Sequence, residues 1–225
     1  MKSKYWLVLF IVCGIVEIFA EATNIRALVL ISKPLLMPIL AGFAFFKARE
    51  MGVAVPGALF GALLFSLFGD VILLFASGNE SYFLMGLVAF LIGHLFYIAL
   101  NLRGKPKFRF DVEAIIFMLP ILIFSGTMLS KIAEQSPTMT VPVSLYSTIL
   151  CALFYTGLMA QNAKAKKDGL VLMGGITLFI ISDSLIGLNR FIAPFAGAGV
   201  AIMATYIIAQ YLLVLGNMMR REPKI

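Results

Sequence analysis

Eight predominantly apolar runs, each about 20 residues long, dominate this chain. A segment of about that length is needed to cross the roughly 30 Å hydrocarbon core of a bilayer as an α-helix. The runs are separated by short polar breaks and cover residues 5–22, 25–46, 53–76, 82–102, 113–130, 141–162, 169–188 and 194–217. Because lipid offers no hydrogen-bond partner to exposed backbone groups, these runs predict an all-α, polytopic membrane protein with a bundle of eight transmembrane helices.

Composition does not fit a soluble domain. Of the 225 residues, 61% are hydrophobic and 13% are charged, and the mean hydropathy is +1.01. A soluble domain of this length could not bury so much apolar surface. Since no long polar loop or low-complexity tract separates the runs, residues 1–225 are predicted to form a single integral-membrane domain, located in the inner membrane if the source is bacterial.

The distribution of basic residues predicts the orientation. Lys and Arg collect on the cytoplasmic side of short connections, and with eight spans both termini share one face, which holds 14 of the 18 basic residues. The opposite face keeps only Arg26, Lys131 and Arg190, and Lys33 lies inside a span. Both termini are therefore predicted to be cytoplasmic. The net charge of +7 is explained by this topology, and it does not indicate nucleic-acid binding, which requires a basic face on a soluble domain.

Ionisable residues inside predicted spans are the first candidates for function. A charge is costly in lipid, so such residues usually face a protein interior or a wet cavity. Four lie in the middle or outer half of their spans, namely Lys33, Asp70, His94 and Asp183. Glu17 and Glu21 occupy the outer half of the first span. A single cavity that opens toward the outer side would explain this shared depth.

Each of these residues also has a structural interpretation. Two carboxylates and a lysine can form a buried ion-pair network that only orders the bundle. Lys33 precedes Pro34, so it could cap carbonyl groups that a proline kink frees. His94 could be a histidine of the core, with Tyr97, one turn further along, as its hydrogen-bond partner.

Short motifs follow one another in a defined order along the spans. They are Ser32-Lys33-Pro34-Leu35-Leu36, Gly69-Asp70, Gly86-Leu87 followed by Phe90, His94 and Tyr97, Ser182-Asp183 followed by Phe191, and Tyr206 followed by Ala209-Gln210. In order, spacing and placement, these motifs resemble the YhhN-like lysoplasmalogenase family of integral membrane proteins. The resemblance covers most of the chain, from the second span to the last.

The resemblance implies hydrolysis of the vinyl ether bond of lysoplasmalogens, with release of a fatty aldehyde and glycerophosphoethanolamine or glycerophosphocholine. Cleavage of a vinyl ether begins with proton delivery to the alkene carbon, and water captures the resulting oxocarbenium ion as a hemiacetal. The protein must therefore supply an acid, a group that orients water, and negative charge near the cation. The implied partners are a lysophospholipid substrate and membrane lipids, and no cofactor is expected.

Within this interpretation, Asp70, Asp183 and His94 are the expected catalytic residues. Burial disfavours the charged form of a carboxyl group, so one Asp is expected to be the acid while the other stays ionised, with the assignment left open between them. His94 is a candidate to orient or deprotonate water. Substrate contacts are expected from Lys33, Tyr97, Arg190, Glu17, Tyr206 and Gln210.

Two other functions fit the same residues. A zinc hydrolase would need Asp70, Asp183 and His94 all as ligands, although catalytic zinc sites usually use more nitrogen or sulfur donors. An ion-coupled transporter of small molecules or lipids would also place ionisable residues near the midplane and prolines within its helices. Composition and periodicity do not separate the transporter from the hydrolase, and only the family resemblance favours the hydrolase.

Overall fold

A computed structural model describes residues 2–103, 106, 112–161 and 166–220, without the side chains of residues 113, 166 and 167. Within these ranges every regular element is helical. The eight α-helices are α1 (Lys2–Thr23), α2 (Arg26–Glu50), α3 (Gly57–Leu73), α4 (Glu80–Leu102), α5 (Val112–Gln135), α6 (Thr140–Met159), α7 (Lys166–Gly187) and α8 (Ala198–Met219). A 3₁₀ turn, Pro137–Met139, precedes α6, and a π-helical turn, Leu188–Ile192, follows α7.

Among the described residues, seven helices are long and apolar enough to cross a membrane, and the shorter apolar helix is α3. The chain is thus an all-helical, multi-pass membrane protein, as the sequence predicts. With 17 residues, α3 rises about 26 Å, slightly less than the roughly 30 Å of hydrocarbon. The count of eight spans and the cytoplasmic location of both termini stay predictions.

Proline does not interrupt the helices that contain it. α2 is helical through both Pro34 and Pro38, and α5 is helical through Pro120. Neighbouring helices and local backbone adjustment make such prolines tolerable in membrane helices.

The helices pack mainly as consecutive pairs. The closest pairs are α1 with α2, α3 with α4, and α7 with α8. α4 also packs against α6, and α8 returns to α1 and α2, which closes the bundle around one apolar core. α5 lies at the periphery, and many of its large apolar side chains are exposed to the surroundings of the bundle.

Two glycines bring α7 and α8 together. A Cβ atom at Gly175 would lie 2.8 Å from the backbone nitrogen of Leu213, and one at Gly216 would lie 2.8 Å from the backbone of Leu172. Since a side chain at either position would collide with the backbone of the other helix, only glycine permits this approach. The contact matters for the site, because α7 carries Asp183 and α8 carries Tyr206 and Gln210.

Polar contacts fix the helix ends. The side chain of Asn79 caps α4 by accepting hydrogen bonds from the backbone nitrogens of Ser81 and Tyr82, at 3.0 and 3.2 Å. At the same side of the bundle, the guanidinium group of Arg26 donates a hydrogen bond to the carbonyl oxygen of Leu74. These contacts hold the ends of α2, α3 and α4 in register next to the site.

Candidate active site

Asp70 lies in a hydrogen-bonded cluster between α3, α4 and α8. Its side chain is buried, and the hydroxyl group of Tyr206 donates to Asp70 Oδ2 at 2.8 Å. One turn before Asp70, the Ser66 hydroxyl accepts a hydrogen bond from Gln210 Nε2 at 2.9 Å. Gln210 Oε1 in turn accepts from the hydroxyl group of Tyr97 at 2.6 Å. Tyr206 is thus the hydrogen-bond donor to the Asp70 carboxyl group, and Ser66, Gln210 and Tyr97 form a second set of hydrogen bonds among the same three helices.

Asp183 occupies a second position, between α4, α6 and α7. The hydroxyl group of Tyr146 donates to Asp183 Oδ2 at 2.6 Å, and His94 Nε2 lies 3.4 Å from the same oxygen. The imidazole ring is buried and meets the rings of Tyr146 and Phe179 edge-on, with centroid distances of 5.4 and 4.7 Å. Asp183 is the carboxyl group that His94 approaches among the described residues.

The suggested hydrogen bond between His94 and Tyr97 is not formed. The Tyr97 hydroxyl group points instead to Gln210 of α8. Within the described part of the chain, neither ring nitrogen of His94 has a partner of hydrogen-bond geometry. Both rings contact Phe179 of α7, but the Tyr97 hydroxyl group reaches α8 whereas His94 Nε2 faces Asp183 of α7.

Glu17 and Lys33 belong to the surroundings of Asp70. Glu17 is fully buried, and its Oε2 accepts a hydrogen bond from the Ser32 hydroxyl group at 2.5 Å. Lys33 Nζ lies 3.7 Å from Glu21 Oε1, with both side chains partly accessible. The charges of Glu17 and Lys33 are close enough to act on Asp70. The structure thus places these residues beside one of the two aspartates.

A cavity adjoins Asp183 between α4, α5, α6 and α7. Its volume is about 70 Å³, which is enough for several water molecules. Its wall is largely apolar, with Phe90, Leu87 and Ile180 among its residues, and its polar groups include Asp183 and Tyr146. Of the site residues predicted from the sequence, Asp183 is the one that lines this cavity. Asp70 and His94 lie behind the wall.

Arg190 borders the same cavity from the π-helical turn. Its guanidinium carbon lies 5.2 Å from the centroid of the Phe83 ring, and Phe83 contacts Phe191 edge-on at 5.3 Å. Both phenylalanines line the cavity. The guanidinium group is therefore held at the rim and not inside, at the end of the cavity where α7 ends.

Sequence reasoning missed Tyr146. Tyrosine is common inside apolar helices, and this residue stands in no motif among those that carry the family resemblance. Its role depends on the packing of α6 against α4 and α7, which places the hydroxyl group on Asp183. Only the polar tip of an otherwise apolar side chain could have been a signal, because a buried hydroxyl group needs a partner.

The same geometry bears on the zinc alternative. That alternative would bring Asp70, Asp183 and His94 around one ion. Throughout the described ranges, no group of three or more His, Cys, Asp or Glu side chains is arranged to hold a metal ion. The two aspartates instead have separate tyrosine partners.

Comparisons with known proteins point to one family. The model of the YhhN family matches residues 28–217. Lysoplasmalogenase TMEM86B from Homo sapiens is 31% identical over 186 residues, which is 82% of this chain and 73% of that protein. Lysoplasmalogenase TMEM86A from Homo sapiens is 30% identical over 195 residues, with coverages of 83% and 78%. A lysoplasmalogenase from Mycobacterium tuberculosis is 31% identical over 168 residues, with coverages of 72% and 60%. No solved structure gives a significant match.

Proposed function

The chain belongs to the YhhN family, and on that premise we propose that it is a lysoplasmalogenase, a membrane enzyme that hydrolyses the vinyl ether bond of lysoplasmalogens. The products would be a fatty aldehyde and glycerophosphoethanolamine or glycerophosphocholine. The observation that carries the proposal is the Asp183 carboxyl group, which faces an apolar cavity, accepts a hydrogen bond from Tyr146 and has His94 Nε2 3.4 Å away. Relatives named lysoplasmalogenase support the same reaction.

We assign the proton donor to Asp183. The acid must reach the alkene carbon of the substrate, and Asp183 lines the cavity whereas Asp70 is enclosed by Tyr206 and its neighbours. Burial in a largely apolar wall favours the neutral form of a carboxyl group, which is the form that donates. The hydrogen bond from Tyr146 fixes one carboxyl oxygen, so that the other is left to face the substrate.

The complete reaction consumes one water molecule. Protonation of the alkene carbon by Asp183 gives an oxocarbenium ion at the carbon that bears the ether oxygen. As water adds to that carbon, the Asp183 carboxylate takes up the proton that the water loses. The hemiacetal collapses when its hydroxyl proton moves to the glyceryl oxygen, and the aldehyde and the glycerophosphate ester separate. Asp183 has its proton back, and one water molecule has been consumed.

His94 and Asp70 support this cycle without lining the cavity. His94 Nε2 is 3.4 Å from Asp183 Oδ2, so it is placed to orient the carboxyl group and to share its proton between steps. Asp70 interacts electrostatically with Asp183 and has the charge of Lys33 nearby. It is therefore assigned the ionised role, in which its negative charge favours the oxocarbenium ion.

Head-group binding is assigned to the rim of the cavity. Arg190 lies beside Phe83 at the end of the cavity, where α7 ends. With both termini in the cytoplasm, this end of the bundle is the outer surface, at the depth of a lysophospholipid phosphate. Guanidinium groups bind phosphate through paired hydrogen bonds. Lys33, which is on the side of Asp70, is less suited to this contact than the sequence alone indicates.

The transporter alternative finds no support in the relatives reported above, which are named for a hydrolytic activity. It also differs in a measurable way, since transport moves a substrate without changing it. Release of an aldehyde from a defined substrate by protein in detergent, where no compartment exists, would require hydrolysis.

The test uses purified protein in detergent with a lysoplasmenylethanolamine, and fatty aldehyde is measured by mass spectrometry. Asp183→Asn is expected to lower the rate by roughly 10²- to 10⁴-fold, as is typical when a general acid is removed. Asp168→Asn, in the first turn of the same helix, is the matched control and should retain full activity. Full activity of a correctly folded Asp183→Asn protein would contradict the mechanism.

A further inference from the structure

The substrate chemistry of the proposed function determines where the hydrocarbon chain must lie. In a vinyl ether lipid, the alkenyl chain begins at the bond that is cleaved. The carbon that receives the proton from Asp183 is thus already part of the chain. An apolar space for the remainder must start at Asp183 and lead away from the head group.

Such a space exists between α5 and α7. A groove of about 340 Å³ runs between the two helices, with a mainly apolar lining that includes Pro120, Ile121, Phe124, Ile181 and Leu185, and with Thr177 at one end. It shares Phe124, Ile180 and Ser184 with the wall of the Asp183 cavity. The groove therefore adjoins the space that the reacting carboxyl group faces, and Phe124, Ile180 and Ser184 form the boundary between the two.

The groove opens sideways. α5 packs against α6 and against the π-helical turn, but among the described residues it makes only slight contact with the length of α7. On the far side of α5, Leu122 and Ile123 are 51% and 58% exposed, as expected for a helix that faces lipid. A lipid in the bilayer could consequently reach the groove without leaving the hydrocarbon region.

The groove is long enough for the first part of one lipid chain. From Asp183 to Thr177, α7 rises about 9 Å at 1.5 Å per residue. Half of the roughly 30 Å hydrocarbon core is one leaflet, and a leaflet is about as deep as one chain is long. The chain therefore fills the groove from Asp183 to Thr177, and the remainder of a long chain extends past Thr177 into the hydrocarbon region.

We propose that the groove between α5 and α7 binds the single hydrocarbon chain of the lysolipid, which enters laterally from the bilayer. The chain runs from Asp183 toward Thr177 and Pro120, while the head group stays at the rim with Arg190. This inference rests on the proposed function for the identity of the ligand. The groove itself acts as a subsite that sets the position of the vinyl ether against Asp183.

The first test compares substrates with a long and a short alkenyl chain. Thr177→Trp fills the inner end of the groove, which is remote from Asp183, and Ile123→Trp adds the same side chain on the lipid-facing side of α5. Thr177→Trp is expected to lower hydrolysis of the long-chain substrate at least about tenfold, because a displaced reacting carbon loses its alignment with the acid. Hydrolysis of the short-chain substrate should stay near the native rate, and Ile123→Trp should change neither. Equal loss for both chains, or no loss, overturns the chain subsite.

The second test does not depend on hydrolysis. A saturated ether lysophospholipid with a photoreactive diazirine part-way along its chain, at the distance from the ether that separates Asp183 from Thr177, is incubated with the native protein, and the labelled peptides are mapped by mass spectrometry. Label is expected on α5 and α7 near Pro120 and Thr177, and Thr177→Trp should remove it while Ile123→Trp should not. Label spread over the lipid-facing surface, insensitive to Thr177→Trp, overturns the inference. If the native protein releases no aldehyde, the proposed function fails. The labelling pattern alone then shows whether the groove binds a lipid chain.

Discussion

Asp70 and Asp183 are both buried carboxyl groups that accept a hydrogen bond from a tyrosine, yet they differ in what else they meet. Asp183 faces a cavity and has His94 3.4 Å away, whereas Asp70 has no share in that cavity and lies within the field of Lys33 and Glu17. In the proposed mechanism, this difference separates the group that would meet the substrate from the one that would act through charge. It is the basis on which the acid is assigned to Asp183.

Tyr146 provides the first prediction. Tyr146→Phe removes the hydroxyl group at 2.6 Å from Asp183 while it keeps the ring beside His94. Loss of a hydrogen bond to an ionisable group costs roughly 1.5–3 kcal/mol, so kcat for aldehyde release should fall about 10- to 100-fold, with KM little changed. Tyr5→Phe, at a strongly exposed position of α1, should behave like the native protein. A rise in KM alone would show that Tyr146 contacts the substrate and does not position Asp183.

Lys33 provides the second prediction, on stability. Lys33→Met removes the cation that lies 3.7 Å from Glu21 and acts on Asp70, which leaves buried carboxyl groups without a positive partner. The free energy of unfolding in detergent should fall by about 2 kcal/mol, less than for a fully buried pair because Lys33 keeps some exposure. Lys131→Met also removes an ion pair, with Glu134, but both side chains are more than half exposed, and little change is expected. Similar thermal unfolding curves for the two variants would contradict this account.

The sequence indicates some residues of the candidate site but not their hydrogen-bond partners. Asp70, His94 and Asp183 can be found because an ionisable side chain inside an apolar run is costly and therefore conspicuous. Their partners cannot, since Tyr206 reaches Asp70 across 136 positions of sequence and the contact exists only after α3 and α8 pack. For the same reason, nothing in the sequence divides the polar residues between an Asp70 cluster and an Asp183 cavity.

At the scale of helices, hydrophobicity predicts that a helix is present better than it predicts the residues at which the helix begins and ends. The run 53–76 overestimates α3, which ends at Leu73, because Leu74 and Ala76 are apolar turn residues that are buried by neighbouring helices. The run 113–130 underestimates α5, which continues to Gln135 through a polar last turn. An apolar run indicates which residues are buried. It does not show where the helix begins or ends, because residues outside a helix can also be buried by packing.

The close contact between α7 and α8 leads to a prediction about stability. Gly175→Ala or Gly216→Ala would place a methyl group 2.8 Å from backbone atoms of the opposite helix, and backbone cannot move aside as a flexible side chain can. Each substitution should lower the free energy of unfolding by roughly 1–3 kcal/mol. It should also lower activity, because the two helices set the positions of Asp183 and Tyr206. Thermal unfolding followed by circular dichroism measures the first effect.

Gly126 of α5 is the matched control for these glycines. A Cβ atom there meets nothing within 4 Å, so Gly126→Ala should keep or slightly raise the stability through its better helix propensity. A comparable loss of stability in Gly126→Ala would mean that close approach to the opposite helix is not the cause of the losses at Gly175 and Gly216.

At the scale of the whole molecule, the two halves of the chain interlock at the site. α1 to α4 and α5 to α8 each form consecutive helix pairs, and one Asp comes from α3 and the other from α7. Yet Asp70 takes its hydrogen bond from α8, in the other half, and Asp183 is approached by His94 of α4. Neither half contains a complete site, so activity should require the intact bundle.

The topology of the whole molecule is open to a direct test, which also decides whether α3 crosses the membrane. Ala54, before α3, and Thr138, after α5, are exposed positions in two connections. Three helices separate them, so three crossings put them on opposite sides.

With Cys13 and Cys151 replaced by Ala, a membrane-impermeant thiol reagent applied to intact cells should label Thr138→Cys at once. It should label Ala54→Cys only after permeabilisation, because the distribution of basic residues predicts a cytoplasmic location for that loop. The reverse pattern would invert the predicted orientation. Equal labelling from one side would show that α3, at about 26 Å, enters the bilayer without crossing it, and Asp70 would then sit on a re-entrant segment.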